Sequence, residues 1–554
     1  MAPRGVTADS IRALAQERFG FASLRPGQLR AVESVVGGRD VLAVLPTGAG
    51  KSAIYELAGL LRPGPTLIVT PLIALEDDQR AHVRAAGLSA TVVNSQLSAG
   101  ARAAALTAAR GSDEFVFVSP EELANAEVAE ALRRARPGLF VVDEAHLISQ
   151  WGQDFRPDYL RLGARADAIG APVRLALTAT AAPPVRAEIA LRLGLRDPDV
   201  VIGDFDRPSI ELSVDRVVTP AQKQRRLEAC ASELSGAGIV YAATRAGAER
   251  SRDILAAAGH RVAVYHAGLS TSDRREAMDA FLDGSTRIVS ATVAFGMGVD
   301  KPDVRWVVHA DVPSSLDSYY QELGRAGRDG GPAQARLLYR PGDLGMARHL
   351  TARPVSDAVV AAVAGRLATS RGEIAAGEVA ATLRLSARSA TLALARLVDL
   401  GAATWNSDGR VRWSGTQSVA DALRASHDET AREQEIERSR LEMMRRYAET
   451  GGCRRSFLLT YFGQEYRGPC GACDNDLRRP ESAQGLEPFP LGERVASDRW
   501  GEGTVQRYDG DQLTVLFDDH GYRDLLVPLV VERGLLRRAS GPVVGRAAAA
   551  KSDR

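Results

Sequence analysis

From about residue 38, short apolar runs alternate with Ala/Leu/Arg-rich stretches of helical length, and no other feature constrains the fold as tightly. The runs are residues 41–45, 66–70, 115–118, 139–142 and 174–177, then 238–241, 262–265, 287–290 and 306–309. Val/Ile/Leu/Phe runs of this length, without polar alternation, read as strands buried on both faces. Strands alternating with helices make parallel sheets joined by right-handed crossovers. A polar break at 205–220, containing Asp206-Arg207-Pro208, divides the pattern into two α/β units.

A chain of 554 residues has room for several domains. Its 25% charged and 45% hydrophobic residues are those of an ordinary soluble globular protein. With a net charge of +1, no bulk attraction to a polyanion operates, so any nucleic-acid contact must come from local patches. The first residues lack a signal-like apolar core and no apolar stretch is long enough to span a bilayer, so a cytoplasmic protein without a membrane partner is expected. Four cysteines, three of them late, argue against a disulfide framework.

After the first apolar run comes Pro46-Thr47-Gly48-Ala49-Gly50-Lys51-Ser52, opening a helical pattern. Glycines let backbone N–H groups wrap phosphates, the lysine reaches the outer phosphates, and the serine hydroxyl meets Mg²⁺. Leu45 stands where the usual spacing has its first glycine. The run 139–142 ends in Asp143-Glu144-Ala145-His146, two carboxylates and an imidazole at a strand's carboxyl end, where ligands sit in open α/β sheets. Asp143 is placed to hold Mg²⁺ through water, and Glu144 to orient the attacking water. Next comes a polar-aromatic stretch, Gln150-Trp151-Gly152-Gln153-Asp154-Phe155-Arg156-Pro157-Asp158-Tyr159, dense in rings for a chain only 5% aromatic. Acids suited to nucleotide chemistry followed by rings suited to bases point to a coupling of the two. In the second α/β unit, Gln321 to Gly330 carries Arg325 and Arg328, on one helix face if the segment is helical. Such an arginine, reaching a γ-phosphate from another domain, would act as an arginine finger.

These residues together resemble a superfamily 2 helicase, and more closely a RecQ-type DNA helicase. Phe21-Ala22-Ser23-Leu24-Arg25-Pro26-Gly27-Gln28 is similar to the family's adenine-recognition motif, which implies that Phe21 and Arg25 flank the base and Gln28 reads its edge. The Thr47–Ser52 loop, Asp143 to His146, and Leu177-Thr178-Ala179-Thr180 resemble the family's first three motifs. The strand-contacting motifs are matched by Thr70-Pro71-Leu72, Ser119-Pro120-Glu121, Thr244-Arg245 and the stretch from Ala291 to Asp300 that includes Thr292. Residues 149–159 resemble the RecQ aromatic-rich loop. The resemblance spans about residues 10–340. It implies ATP between two RecA-like domains, catalysis by Lys51, Asp143, Glu144, Arg325 and Arg328, and DNA contact or coupling through His146, Trp151, Phe155, Arg156, Pro71, Ser119, Thr244, Arg245 and Thr292.

Cys453, Cys470, Cys473 and Asp476 follow the spacing of the RecQ zinc module, with aspartate in place of its last cysteine. Zn²⁺ held by three thiolates and Asp476 is the expectation; a three-cysteine site completed by water and a metal-free module are the alternatives. Residues 355–413 resemble a winged helix-turn-helix with its wing over 404–413. Seven arginines against four acids between residues 366 and 412 suit duplex contact. Residues 491–538 are similar to a small Tudor-like β-barrel, with a protein as its preferred ligand and nucleic acid second. The winged helix precedes the zinc module, a departure from the family's layout, and no HRDC domain is recognisable.

The expected fold is therefore α/β, with two RecA-like parallel-sheet domains (1–206, 207–351), a winged helix (352–418) and a helical zinc module (419–478). A linker (479–490), a small β-barrel (491–538) and a tail (539–554) complete it. The expected function is an ATP- and Mg²⁺-dependent DNA helicase, moving 3′ to 5′ on single strands and unwinding branched or tailed duplexes in repair and recombination. A DNA-stimulated translocase or remodeller and a scaffold with a vestigial ATPase are the competing readings.

Overall fold

The computed structural model describes residues 6–71, 73–94, 96–111, 114–123, 125–149, 157–296, 301–350, 355–370, 372–406, 410–478, 488–509 and 512–539. The first sheet has seven strands: β1 (Val41–Val44), β2 (Thr66–Val69), β3 (Ala90–Val93), β4 (Phe115–Val118), β5 (Leu139–Val142), β6 (Arg174–Thr178) and β7 (Asp199–Ile202). All are parallel, in the order β3-β4-β2-β5-β6-β1-β7. β1, β2, β4, β5 and β6 are buried along their whole length, as strands covered by helices on both faces must be. Successive side chains feed opposite cores: Leu42 and Val44 pack on one face, Val41 and Ala43 on the other.

The second sheet is also parallel. Its strands are β8 (Ile210–Arg216), β9 (Ala237–Tyr241), β10 (Val262–Tyr265), β11 (Ile288–Ala291), β12 (Val304–His309) and β13 (Ala333–Tyr339), in the order β10-β11-β9-β12-β13-β8. The polar break at 205–220 lies between the two sheets and itself contains the edge strand β8. Ile210, Leu212 and Val214 face inward while Glu211, Ser213 and Asp215 are half-buried, so the segment alternates where the central strands do not. The exposed ladder of β8 is covered by the cysteine module: Leu212 N–H donates to Ala472 O at 3.1 Å and Val214 N–H to Asp474 Oδ2 at 3.2 Å.

A three-stranded sheet follows, β14 (Ile374–Ala375), β15 (Ala403–Trp405) and β16 (Arg410–Trp413), in the order β14-β16-β15. It packs with helices Asp357–Ala368, Ala376–Leu383 and Ala387–Asp399 around Val363, Leu367, Leu394 and Leu397. Three helices with a three-stranded antiparallel sheet are the elements expected of the winged helix; residues 407–409 at the expected wing tip lie outside the described residues. Its second helix-turn-helix helix, Ala387–Asp399, is not a free reading surface. Arg396 pairs with Glu433 at 2.5 Å, Asp399 with Arg192 at 3.1 Å, and Trp405 beside it lies under Arg161 at 3.9 Å. Exposed positions concentrate toward its N-terminal end, at Ala387 and Arg388. The carboxyl-terminal half of this helix is thus engaged within the protein, while Arg384, Arg388, Arg410 and Arg412 stand exposed.

A long helix, Val419–Glu449, leads to the short helices Arg454–Tyr461 and Asp474–Arg478, which frame the cysteines. The C-terminal unit is antiparallel: β17 (Arg494–Ser497), β18 (Gly501–Asp509), β19 (Gln512–Phe517), β20 (Gly521–Leu526) and β21 (Arg537–Arg538), paired as β20-β19-β18-β17-β21 around Val495, Val505, Leu513 and Phe517. No ladder joins β20 to β21 among the described residues. This unit sits on the long helix, with Arg446 paired to Asp524, Arg523 to Glu435, and Tyr522 stacked on Tyr461 at 5.4 Å. Among the described residues, no helix is long and apolar enough to cross a membrane.

Candidate nucleotide-hydrolysis site and metal centre

The loop after β1 turns on Gly48 and Gly50, at φ +78° and +70°, a region that favours glycine. A Cβ at Gly50 would lie 2.7 Å from Gln28 Nε2, so the position is also sterically closed. Gln28 accepts from Arg25 N–H at 2.8 Å and donates to Ala49 O at 2.9 Å and Gly50 O at 2.8 Å. Its amide thus braces the phosphate loop. Phe21, stacked on Phe19 at 5.5 Å, and the exposed Arg25 remain at the surface. Leu45 is buried, and the room for it comes from two glycines. A Cβ at Gly203 would approach Leu45 Cδ2 to 2.7 Å and one at Gly27 to 3.1 Å.

Lys51 Nζ lies 3.4 Å from Leu45 O, and Ser52 begins the helix Ser52–Leu60. Asp143 leaves β5 two strands away from β1, with β6 between them. Burial, and then the Glu144 charge, push the Asp143 carboxyl above the ordinary aspartate range, against the pull of Lys51. Such a carboxylate fits a divalent cation, which would favour its ionised form. Glu144 sits in the left-handed region at φ +48°, and its N–H donates to Asp143 Oδ1 at 2.9 Å. Burial also raises Glu144, but His146, Lys51 and Arg325 outweigh it and hold the carboxyl below its ordinary range.

His146 Nδ1 lies 3.3 Å from Glu144 Oε2 and 3.0 Å from Thr178 Oγ1, at the end of β6. Thr178 donates to Thr180 O at 3.0 Å, and Thr180 Oγ1 accepts from Gln321 Nε2 at 2.6 Å. The line from acid pair to second domain is therefore continuous. Trp151, Phe155 and Arg156 lie outside the described residues. The far end of their stretch is in place: the Tyr159 hydroxyl donates to Asp143 O at 3.3 Å, from a fully buried ring.

The helix Leu316–Leu323 ends before the two arginines, which corrects their expected place on one helix face. Gly324, Gly327 and Gly330 interrupt the helix, with Gly327 at φ +59° and Gly330 at φ +82°, and Arg325 and Arg328 ride on the resulting turn. The Arg328 side chain crosses the phosphate loop, its Cγ 3.7 Å from where a Gly48 Cβ would stand. Arg325 reaches the Tyr241 hydroxyl and acts electrostatically on Glu144. Arg207, which nothing in the sequence singled out, donates to Thr47 O at 3.3 Å, Gly324 O at 3.0 Å, Ala326 O at 2.8 Å and Gly327 O at 3.2 Å.

The remaining candidate contacts lie beyond the carboxyl ends of strands. Pro71 follows β2 and Ser119 follows β4, where its hydroxyl accepts from Glu122 N–H at 3.4 Å. Thr244 caps the helix Arg245–Ala257, accepting from Gly247 N–H at 2.9 Å, and Thr292 follows β11.

Cys453, Cys470, Cys473 and Asp476 bring their ligand atoms within 4.8 Å of one another. Contacts among the three thiols lower Cys473 below its ordinary range and raise Cys453 and Cys470 above theirs. Three sulfurs and one carboxylate oxygen so gathered fit a tetrahedral Zn²⁺. Asp476 Oδ2 accepts from Cys470 N–H at 2.6 Å and from Gly471 N–H at 3.3 Å, which fixes its orientation toward the sulfurs. The same module grips the interdomain connection. Phe205 N–H donates to Gln464 Oε1 at 2.8 Å, Phe462 stacks on Phe205 at 4.8 Å, and Arg455 pairs with Asp206 at 2.5 Å.

Comparison with known proteins agrees with this architecture. Residues 25–188 match the DEAD/DEAH box helicase model, 222–330 the helicase conserved C-terminal domain, and 416–477 the RecQ zinc-binding domain. The chain is 34% identical over 469 residues to the probable ATP-dependent DNA helicase RecS of Bacillus subtilis, covering 83% of this chain and 91% of that protein. It is 32% identical to the ATP-dependent DNA helicase RecQ of Pasteurella multocida, over 84% of this chain but 62% of the relative. Among solved structures, the Mycobacterium smegmatis helicase Lhr bound to single-stranded DNA and AMP-PNP matches 86% of this chain and 67% of its own, at TM-score 0.50 and 20% identity. The helicase MrfA bound to DNA matches 76% of this chain and 61% of its own, at TM-score 0.52 and 19% identity. The chain belongs to the RecQ-type family of ATP-dependent DNA helicases.

Proposed function

We propose that this helicase moves 3′ to 5′ along single-stranded DNA and unwinds branched or tailed duplexes in repair and recombination, in the cytoplasm on chromosomal DNA. The observation that carries the reading is that the acid pair is tied in two directions. Tyr159 joins Asp143 to the exit of the aromatic stretch, and His146, Thr178 and Thr180 join Glu144 to Gln321 of the second domain. DNA held at the aromatic stretch thus acts on the Asp143 backbone, and closure of the second domain on the Glu144 carboxylate beside it.

ATP sits against the phosphate loop, with Phe21 and Arg25 at its base and Lys51 at its outer phosphates. Ser52 and Asp143 would hold Mg²⁺, which when bound would neutralise charge on the phosphates. Glu144, kept ionised, orients and deprotonates the attacking water. Arg325 and Arg328 stabilise charge developing on the γ-phosphate, a contribution of several orders of magnitude in rate. Pro71, Ser119, Thr244, Arg245 and Thr292 contact the strand's backbone, which carries no sequence information, while Trp151 and Phe155 stack on bases. Zn²⁺ at Cys453, Cys470, Cys473 and Asp476 is structural. The C-terminal sheet takes a protein partner at Leu526, Val531 and Leu535, which stand exposed.

A second reading, a translocase with little strand separation, is favoured by the carboxyl-terminal half of the helix Ala387–Asp399, where Arg396 and Asp399 are engaged by Glu433 and Arg192. Strand release from forked, 3′-tailed and 5′-tailed duplexes decides between them. The helicase reading expects product strands from forks and 3′ tails only; DNA-stimulated hydrolysis without product strands would establish the translocase. In the same assay Trp151→Ala is expected to keep ATP binding and lose DNA stimulation.

A further inference from the structure

Arg207 belongs to the connection between the two RecA-like domains, and its side chain is mostly buried. Burial lowers its pKa, and Arg25 adds a like charge nearby. Four N–H···O bonds offset this, three of them to one loop. Gly324, Ala326 and Gly327 supply carbonyls of the turn that ends the helix Leu316–Leu323, where such groups lack partners within the helix. From the other side, Gly327 N–H donates to Val304 O at 2.8 Å. Arg325 and Arg328 therefore project from a backbone clamped on two sides. The fourth bond goes to Thr47 O, in the phosphate loop of the other domain.

We infer that Arg207 is a positioning residue for hydrolysis: its guanidinium splints the turn carrying Arg325 and Arg328 and sets that turn's register against the phosphate loop. The inference rests on the site described under Proposed function and adds to it a residue that acts through the turn carrying Arg325 and Arg328. A planar fork with donors on both terminal nitrogens can serve two loops at once; an ammonium, with three donors at one point, cannot hold the same spacing. Misplacing reacting groups by about 1 Å costs up to about 100-fold in rate, so losing the splint should fall on turnover more than on nucleotide binding.

The test is steady-state ATP hydrolysis with saturating single-stranded DNA, for the full chain and for Arg207→Ala, Arg207→Lys and Lys51→Ala. Arg207→Ala is expected to lower kcat by about tenfold or more while KM for ATP changes less than about threefold. Free guanidinium at millimolar concentration should restore several-fold of the Arg207→Ala rate and leave the parent protein unchanged. Arg207→Lys, which keeps the charge, should remain slow with an unchanged melting temperature. Wild-type kcat in Arg207→Ala beside a dead Lys51→Ala overturns the inference alone. So does a loss that guanidinium fails to restore and that tracks a fall in melting temperature. An active Lys51→Ala protein overturns the assignment of the site, and this inference with it.

Discussion

Glu56, one turn into the helix that follows the phosphate loop, is 1% exposed, and burial raises its carboxyl from 4.5 to about 7. Its Oε1 is 3.7 Å from His82 Nε2 and its Oε2 has no partner. Because the folded pKa lies above the unfolded one, the folded state binds the proton more tightly. The group therefore favours folding most at low pH, and that support is lost as pH rises from about 4.5 through about 7. At about 1.4 kcal/mol per pH unit, the displacement corresponds to about 3 kcal/mol of stability missing at pH 8. Glu56→Gln replaces a carboxyl by a neutral amide of the same shape, so it mimics the protonated form at every pH. The variant should match the parent within about 0.5 kcal/mol at pH 4.5 and exceed it by about 3 kcal/mol at pH 8. Urea unfolding followed by circular dichroism at the two pH values reads this as a midpoint rise of about 1 M at pH 8 only, for the first transition of a multidomain chain. Equal shifts at both pH values, or none at pH 8, would refute the reasoning, since either means that the buried carboxyl carries no ionisation penalty.

Three further outcomes follow from named contacts. Gln321→Ala removes the hydrogen bond to Thr180, and is expected to lower DNA-stimulated hydrolysis by about tenfold while ATP affinity, read with a fluorescent analogue, stays within about threefold. Trp405→Ala removes the ring under Arg161, just after the aromatic stretch. DNA stimulation should fall several-fold with DNA-free hydrolysis unchanged, and Trp405→Phe should retain most of it; equal loss of both activities would point to misfolding. Asp476→Cys supplies the softer ligand that Zn²⁺ prefers, and should slow zinc transfer to a chromophoric chelator by about tenfold or more, with one metal per chain before and after.

The parts of this fold legible in sequence are those whose surroundings are uniform. β1, β2, β4, β5 and β6 are covered on both faces, so their residues are apolar without interruption and the runs declare themselves. β8 is not legible in this way, because half its residues face partial solvent and its outer edge is satisfied by Ala472 and Asp474, far along the chain. The same division runs through the site. Lys51, Asp143, Glu144 and the two arginines carry chemistry that requires their residue types at fixed spacing. Arg207 serves carbonyls, which have no sequence signature, and an arginine before a proline in a polar break looks like any solvated linker. Leu45 shows the converse. Its departure from glycine is visible at once, but the glycines that make room for it, Gly27 and Gly203, lie before β1 and beyond β7, and only the folded chain brings them together.

The order of the accessory parts bears on how hydrolysis becomes movement. A motor that opens and closes about one connection needs that connection to bend along a defined path. Phe205 is held between Phe462 and Tyr320, whose hydroxyl donates to Phe205 O at 2.6 Å. Asp206 is held by Arg455, and Arg186 of the first domain donates to Phe462 O at 2.6 Å. The zinc module therefore touches the hinge and both domains at once. The winged helix, inserted before that module, leans on the first domain through Arg161 and Arg192. The C-terminal sheet leans on the long helix, where Arg440 pairs with Asp317 of the second domain at 2.9 Å and Tyr461 with the same carboxylate at 2.6 Å. Breaking a buried pair of this kind leaves an uncompensated charge and costs about 3–5 kcal/mol, so the second domain travels with the long helix.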